Sequence, residues 1–430
     1  MISDNLSVRD GHLYIGGCDT VKLAEKYGTP LYVMDEDKIR DNCRKYVKAF
    51  EDYYKGSAAV VYVSKAFSCK EMCRIVISEG LDLEVVSGGE LYTALSAGVP
   101  SSRIHFQGNN KTMGEVHMAI ENNVGEIVID NLTELRNVQR LAKEYNGTVT
   151  VSVRVNPGVE AHTHEFLQTG QLDSKFGTAI ETGAAFELIK EALQQPNLKV
   201  RGLHCHIGSQ IFDTRPFTAA VKKMLEFFAE IKTKLGAELS SLNLGGGLGI
   251  NYVKSDDAPD FDEYVREISK SISKACDELG LELPDLSIEP GRSIAGNAGL
   301  TLYTVGDVKE ISGVRNYTAI DGGMFESPRY ALYNAEYTVV LADKMNESAD
   351  YETAIAGKCC ESGDLIQKNA VIQKPEAGDI MAVLVTGAYN YSMASNYNRN
   401  LKSPVVMVSN GKPRIAVRGE TYEDLIRNDI

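Results

Sequence analysis

Between Ala58 and Ile288 the chain repeats one pattern eight times: a short apolar run rich in Val, Ile and Leu, then a stretch with helical periodicity. The runs read AAVVYVSKA from Ala58, LDLEVVS from Leu81, RIHFQG from Arg103, EIVIDN from Glu126, TVTVSVRVNP from Thr148, KVRGLHCHIG from Lys199, SLNLGGG from Ser241 and LSIEPG from Leu286. Amphipathic spacing between them is clearest in TELRNVQRLAKEY, FTAAVKKMLEFFAEIKTKL and FDEYVREISKSISKACDELG. Strands that alternate with helices pair in parallel and are covered on both faces. Eight such units over about 240 residues match a closed (β/α)8, TIM-like barrel better than an open doubly wound sheet.

After about Ala295 the rhythm changes. TLYTVGDVKEI, NYTAIDGG, YTVVLAD, DIMAVLVTG, PVVMVSN and PRIAVRG follow one another with turn residues between them and few long helices, the pattern of a mainly-β domain. A chain of 430 residues also exceeds what one core usually supports. We therefore expect a barrel over residues 36–294 and a β-domain made from 1–35 plus 295–430. The short strand-like pieces HLYIGG and PLYVMD near the N-terminus are expected to join its sheet.

A net charge of −14 argues against nucleic acid or an anionic membrane as partner. No apolar run approaches the ~18 residues of a spanning helix, and MISDNLSVRDGHLYIGG lacks a basic-then-apolar leader, so a cytoplasmic location is expected. The eight cysteines are scattered without a CxxC, which favours reduced thiols. Cys205 sits between His204 and His206, but on a strand it points away from both, and no distant pair completes a familiar ligand set. No metal is expected.

Polar and Gly-rich residues cluster where the runs end, which is where barrels carry their chemistry. Lys65 closes AAVVYV; partial desolvation there would favour its neutral, nucleophilic form, although a lysine snorkelling at a strand terminus has the same pattern. Gly245-Gly246-Gly247 and Gly291-Arg292 end the seventh and eighth runs, where backbone N–H groups commonly cradle phosphate; Ser209 could add a hydroxyl. Glu289, at the end of LSIEP, needs a partner: a protonated pyridine nitrogen or an internal arginine. His206 is either a ring-stacking residue or a satisfied core histidine. Further on, CCESGDLI places Cys360, Glu361 and Asp364 in a polar turn, and GAYNYSMASNYN is a polar loop or a ligand loop.

Together VYVSKA, VVSGGEL, RVNPGVEAHTHEFLQTG with DSKFG, GLHCHIGSQI, NLGGGLGI, IEPGRSI, RYALY, CCESGDLI and GAYNYSMASNYN resemble the diaminopimelate decarboxylase family. This is one branch of the fold-type III pyridoxal-phosphate enzymes, which include alanine racemase and the ornithine and arginine decarboxylases. The resemblance implies a barrel with a C-terminal β-domain, a homodimer with composite active sites, and conversion of meso-2,6-diaminopimelate to L-lysine and CO₂. It implies that Lys65 forms the Schiff-base link to pyridoxal 5'-phosphate and that His206 lies on its ring. Ser209, Gly247, Gly291 and Arg292 would surround the phosphate, Glu289 would face the ring nitrogen, and Tyr389 would touch cofactor and substrate. Arg292, Arg329, Tyr333 and Glu361 would read the far end of the substrate. Cys360, from the partner subunit, would donate the proton. Two positions depart from the family pattern: Tyr330 follows Arg329 in place of a proline, and Tyr337 replaces a histidine. Related decarboxylases acting on ornithine, lysine, arginine or carboxynorspermidine are the nearest alternatives, and a non-catalytic pyridoxal-phosphate-binding regulator is a third. The first three substrates lack the second carboxylate that Arg329 and Tyr333 would bind.

Overall fold

The structure is a computed structural model that describes residues 2–159 and 174–430. Most of the VEAHTHEFLQTG stretch lies outside the described residues. Eight parallel strands form a closed cylinder: β1 (Ala58–Val63), β2 (Asp82–Val85), β3 (Ile104–Phe106), β4 (Glu126–Ile129), β5 (Val149–Asn156), β6 (Leu198–His204), β7 (Ser241–Asn243) and β8 (Asp285–Ile288). Each pairs with the next, and β8 closes on β1 through Leu286↔Ala58, Ser287↔Ala59 and Ile288↔Val60. Each of the eight expected runs supplies one strand. A two-residue strand, Thr178–Ala179, adds to β5 outside the cylinder.

The helices that cover the barrel form where the periodicity places them. Arg215–Leu235 buries Phe217, Ala220, Val221, Met224, Leu225, Phe228 and Ile231, an i, i+3, i+4 stripe, and stops at Gly236 in the left-handed conformation. Side-chain caps start several others at the strand ends. Ser87 accepts from Glu90 N, Asn131 accepts from Glu134 N, and Thr112 with Glu115 forms a reciprocal capping box.

Contacts divide the chain into two units: Asn42–Gly249 with Ala258–Gly291, and Met1–Asp41 with Ile250–Asp257 and Arg292–Ile430. The second unit is built on a mixed sheet in the order Leu365–Ile372, Tyr351–Ala356, Arg315–Ile320, Gly299–Ile311, Leu31–Asp35, Val405–Ser409, Lys412–Val417. Ile380–Leu384 also pairs with the long strand Gly299–Ile311, and Val339–Leu341 pairs with Ile380–Leu384. PLYVMD joins this sheet as expected, through Leu31–Asp35. HLYIGG does not; it belongs to a separate three-stranded sheet of Leu6–Arg9, His12–Ile15 and Cys18–Asp19. Its apolar side chains Leu13 and Ile15 nonetheless pack into the same core as Leu300, Leu302, Val383 and Val406.

Candidate active site

Parallel strands buried on both faces are usually apolar throughout. Here Glu84, His105, Glu126, Ser152, Arg154, His204 and Asn243 break that rule, and each is buried. Their bonds show which way they face. Gln107, just past β3, donates to Oε1 of Glu289, just past β8. Those strands are separated in the sheet by β1 and β2, so the bond crosses the barrel interior. Asn243 donates to the same oxygen at 2.7 Å, and His204 Nε2 lies 3.1 Å from Oε2.

Glu289 is therefore an internal acid held by two amides and an imidazole, not by an arginine. Burial raises its pKa, while the charge of Lys65 and the Asn243 bond oppose the rise. Burial, reinforced by the positive charge of Arg154 and Lys65, drives His204 well below the ordinary histidine value, so its ring is neutral. A neutral ring that donates through Nε2 leaves Nδ1 bare, and Nδ1 is buried without a hydrogen-bond partner among the described residues.

Lys65 follows β1 in a 3-10 turn, Ser64–Ala66. The turn is braced on both sides: Ser64 Oγ donates to Glu90 at 2.6 Å, and Tyr62 OH donates to the carbonyl of Phe67 at 2.9 Å. The Lys65 ammonium lies 3.9 Å from Glu84 Oε1. Its side chain is 45% exposed, so the desolvation expected from the apolar run ends at the Cα. The turn lifts the residue out of the strand. Glu84 is the desolvated partner: burial pushes it up to about 7 against the charge of Lys65. Its Oε2 is buried without a hydrogen-bond partner among the described residues.

His206 is half-buried and driven well below its ordinary pKa by burial, with Lys65 and Arg154 adding to the effect. The triple glycine is required by packing. A Cβ on Gly246 would lie 2.1 Å from the Glu289 carbonyl oxygen, and one on Gly247 (φ +124°) 2.4 Å from that of Gly208. Gly247 and Gly208-Ser209 are thus brought side by side, and Ile211 N donates to Gly247 O at 3.0 Å. Cys205 is fully buried, its thiol pushed up to about 12 by burial.

The second unit holds a different cluster. Arg292 and Arg329 are each 5% exposed. Arg292 donates to Tyr252 OH and Arg329 to Tyr337 OH, both at 2.7 Å. The Arg329 guanidinium stands 4.7 Å over the Tyr252 ring, and that of Arg292 4.8 Å over Tyr389. Tyr389 adopts φ +60°, a backbone state that costs a bulky residue energy. Tyr333 is half-exposed, one helical turn beyond Arg329 in the short helix Arg329–Tyr333. Elsewhere in this unit, Asp364 accepts from Met324 N at 2.6 Å and Cys359 N at 2.7 Å. That carboxylate fixes the turn that presents Cys360 and Glu361, both exposed; Cys360 is the exposed one of the eight thiols.

Residues 36–296 match the model of the pyridoxal-dependent decarboxylases, pyridoxal-binding domain. A curated diaminopimelate decarboxylase of Bacillus subtilis is 47% identical over 420 residues, 98% of this chain and 95% of the relative. That of Staphylococcus aureus is 47% identical over 422 residues, 98% of each chain. The chain belongs to the diaminopimelate decarboxylase family. A crystal structure of diaminopimelate decarboxylase from M. jannaschii with L-lysine agrees in fold, with a TM-score of 0.93 at 38% identity over 100% of this chain and 98% of that one. As a family member the chain is a pyridoxal-dependent decarboxylase that acts on an amino acid.

The donor set suits the family's cofactor. Glu289 has three of a carboxylate's roughly four acceptor positions filled, which leaves one on Oε2 for a further N–H. Glu84 Oε2 and His204 Nδ1 are additional buried polar atoms with capacity to spare. Sequence reasoning missed Glu84, Gln107, His204 and Asn243 as members of this set. For His204 the signal was present, since it shares a strand face with His206. Among the described residues no group of three His, Cys, Asp or Glu side chains could hold a metal.

Proposed function

We propose that the chain converts meso-2,6-diaminopimelate to L-lysine and CO₂ with pyridoxal 5'-phosphate as cofactor. The carrying observation is the buried Arg329: among the described residues it has no carboxylate partner, and hydroxyl and aromatic groups alone surround its charge. A guanidinium kept out of water without an anion is costly, and a planar substrate carboxylate offsets that cost with a bidentate contact. Ornithine, lysine and arginine bring no second carboxylate at the far end.

The cofactor, when bound, supplies an electron sink for the pair left behind by CO₂. Lys65 would hold it covalently, and Glu289 would keep a proton on the ring nitrogen. His206 would lie on the ring face, and Ser209, Gly247, Gly291 and Arg292 would receive the phosphate. Arg292, Arg329, Tyr333, Glu361 and Tyr389 would hold the substrate, Tyr389 reaching the cofactor as well. Cys360 of the partner subunit would return a proton to the reacting carbon. These roles imply a cytoplasmic homodimer with composite active sites, a barrel of residues 36–294 and a β-domain of 1–35 plus 295–430 that completes the site.

The test is turnover of meso-diaminopimelate, scored for CO₂ and L-lysine, beside Lys65→Ala and Arg329→Ala. Lys65→Ala should abolish the borohydride-reducible cofactor link. Arg329→Ala should lower kcat/KM by at least about a hundredfold, since losing one partner of a desolvated charge pair costs on the order of 2–5 kcal/mol. A reducible link on another lysine, or an Arg329→Ala enzyme with normal kcat/KM, would overturn the respective assignment.

A further inference from the structure

The guanidinium of Arg329 is anchored at one end. Nη1 donates to Tyr337 OH at 2.7 Å, and the side chain also interacts with Tyr252. A hydroxyl that accepts from a cation sends its own proton elsewhere, and here the acceptor is Asn390 Oδ1 at 3.4 Å. Asn390 is fully buried and fixed in turn: its amide donates to the carbonyls of Thr386 at 3.1 Å and Ala388 at 3.4 Å, and Ser327 Oγ donates to its Oδ1 at 3.2 Å. The Asn390 amide nitrogen also donates to the same hydroxyl at 3.2 Å, so Asn390 holds the phenol oxygen in place as the acceptor for Arg329. The Tyr337 ring is held edge-on to Tyr252, with centroids 5.6 Å apart and planes at 82°, and its backbone N–H donates to Gln367 Oε1 at 3.2 Å. Tyr252 then supports the guanidinium face at 4.7 Å.

We propose that Tyr337 is the positioning residue for Arg329, holding the guanidinium by one nitrogen so that its free edge is presented to the distal carboxylate of the substrate, and that this hold sets the preference for a dicarboxylate. The proposal rests on the reading of Arg329 given above. A guanidinium has five N–H donors in a rigid fork, so fixing Nη1 fixes the orientation of the rest. Phenol is a neutral anchor: a carboxylate at the same place would neutralise the charge that the substrate needs. Tyr337 does not touch the reacting bond, so its loss weakens substrate binding and leaves the chemical step largely intact.

The experiment is a double-mutant cycle on the holoenzyme with Tyr337→Phe, Arg329→Ala and the pair, each with a thermal unfolding curve. Tyr337→Phe should raise KM for meso-diaminopimelate about tenfold or more, with kcat changed less than about threefold, because a hydrogen bond to a charged group is lost. On the Arg329→Ala background the same change should have almost no further effect on kcat/KM. Tyr337→His, whose ring nitrogen can accept, should restore much of the KM and covers the case in which Tyr337→Phe folds poorly. Equal effects of Tyr337→Phe in both backgrounds, or a loss confined to kcat, would overturn the proposal while leaving Arg329 in place. If Arg329→Ala itself leaves kcat/KM unchanged, the reading of Arg329 fails and the proposal fails with it.

Discussion

Replacing Glu289 by glutamine or by alanine should separate its structural work from its chemical work. Glu289 Oε1 accepts from Gln107 and Asn243, and Oε2 faces His204 Nε2. In Glu289→Gln the amide oxygen can keep both donors, which directs its NH₂ group at His204. His204 can accept that donor by moving its proton to Nδ1, which is neutral, buried and without a partner among the described residues. The contact with His204 is thus kept, but the buried Nδ1–H is left without an acceptor, so a stability cost of about 1–3 kcal/mol is expected. Glu289→Ala leaves three buried donors without an acceptor at about 1–3 kcal/mol each, so a loss on the order of 3–9 kcal/mol is expected. Catalysis should rank differently. Neither variant can hold a proton on a ring nitrogen as a carboxylate does, so both should lose at least about a hundredfold in kcat. Denaturant unfolding measures the first pair of effects, steady-state kinetics the second, and histidine-selective nitrogen NMR the tautomer of His204. The reasoning is refuted if Glu289→Gln unfolds as readily as Glu289→Ala, or if Glu289→Gln keeps wild-type kcat.

Three further outcomes follow from buried or shared groups. Burial opposes a charge on His105, but Asp82 and Glu126 on either side push it up to about 10. Its stabilising contribution is therefore complete below the ordinary value of about 6.5 and vanishes as pH rises through about 10. His105→Gln should cost a few kcal/mol near pH 6, with the gap to wild type closing toward pH 10; a gap that stays constant across that range refutes the cluster's charge state. Lys65→Ala and Cys360→Ala should each be nearly inactive alone and should recover part of the activity after subunit exchange; no recovery despite proven exchange puts both residues in one subunit's site. Asp364→Ala should lower stability by about 2–4 kcal/mol, because Met324 N and Cys359 N lose their acceptor, whereas Glu361→Ala at the exposed end of the same turn should stay within about 0.5 kcal/mol. Equal losses would show that the carboxylate does not hold the turn.

The barrel was legible because its strands are buried on both faces and read as apolar runs, eight of them, with helical spacing between. The strands Tyr351–Ala356 and Leu365–Ile372 were not, because LIQKNAVI carries Gln367, Lys368 and Asn369 through its middle and gives no clean alternation. Glu289 and Lys65 stood out as single polar residues closing apolar runs. Their partners did not: Gln107 is 182 residues from Glu289 in sequence and His204 is 85, so only closure of the cylinder brings them together. Tyr252 lay two residues beyond the NLGGGLGI motif, and Tyr337 was visible only as a departure from the family pattern. Neither position announces that its hydroxyl holds an arginine.

Buried cations among the described residues include two contrasting kinds, and the difference separates framework from function. Lys111 is held by Glu134 at 2.7 Å and by the carbonyls of Gly108 at 2.8 Å and Val128 at 2.7 Å, and His105 lies between Glu126 and Asp82. Each is neutralised by acids of the same barrel, so each charge serves the fold and none remains for a ligand. Arg329 is as deeply buried, yet hydroxyl and aromatic groups stand where those acids would be. Burial opposes the charge of Arg329, but its tyrosine partners more than offset that effect and keep it protonated. The charge of Arg292 and Arg329 in turn draws Tyr252 below its ordinary pKa despite burial. A fold that needed this cation only for stability would do better with an apolar side chain of similar volume. Keeping it charged, oriented and without a carboxylate is a cost that an anionic ligand offsets, and a second carboxylate on an amino-acid substrate is such a ligand.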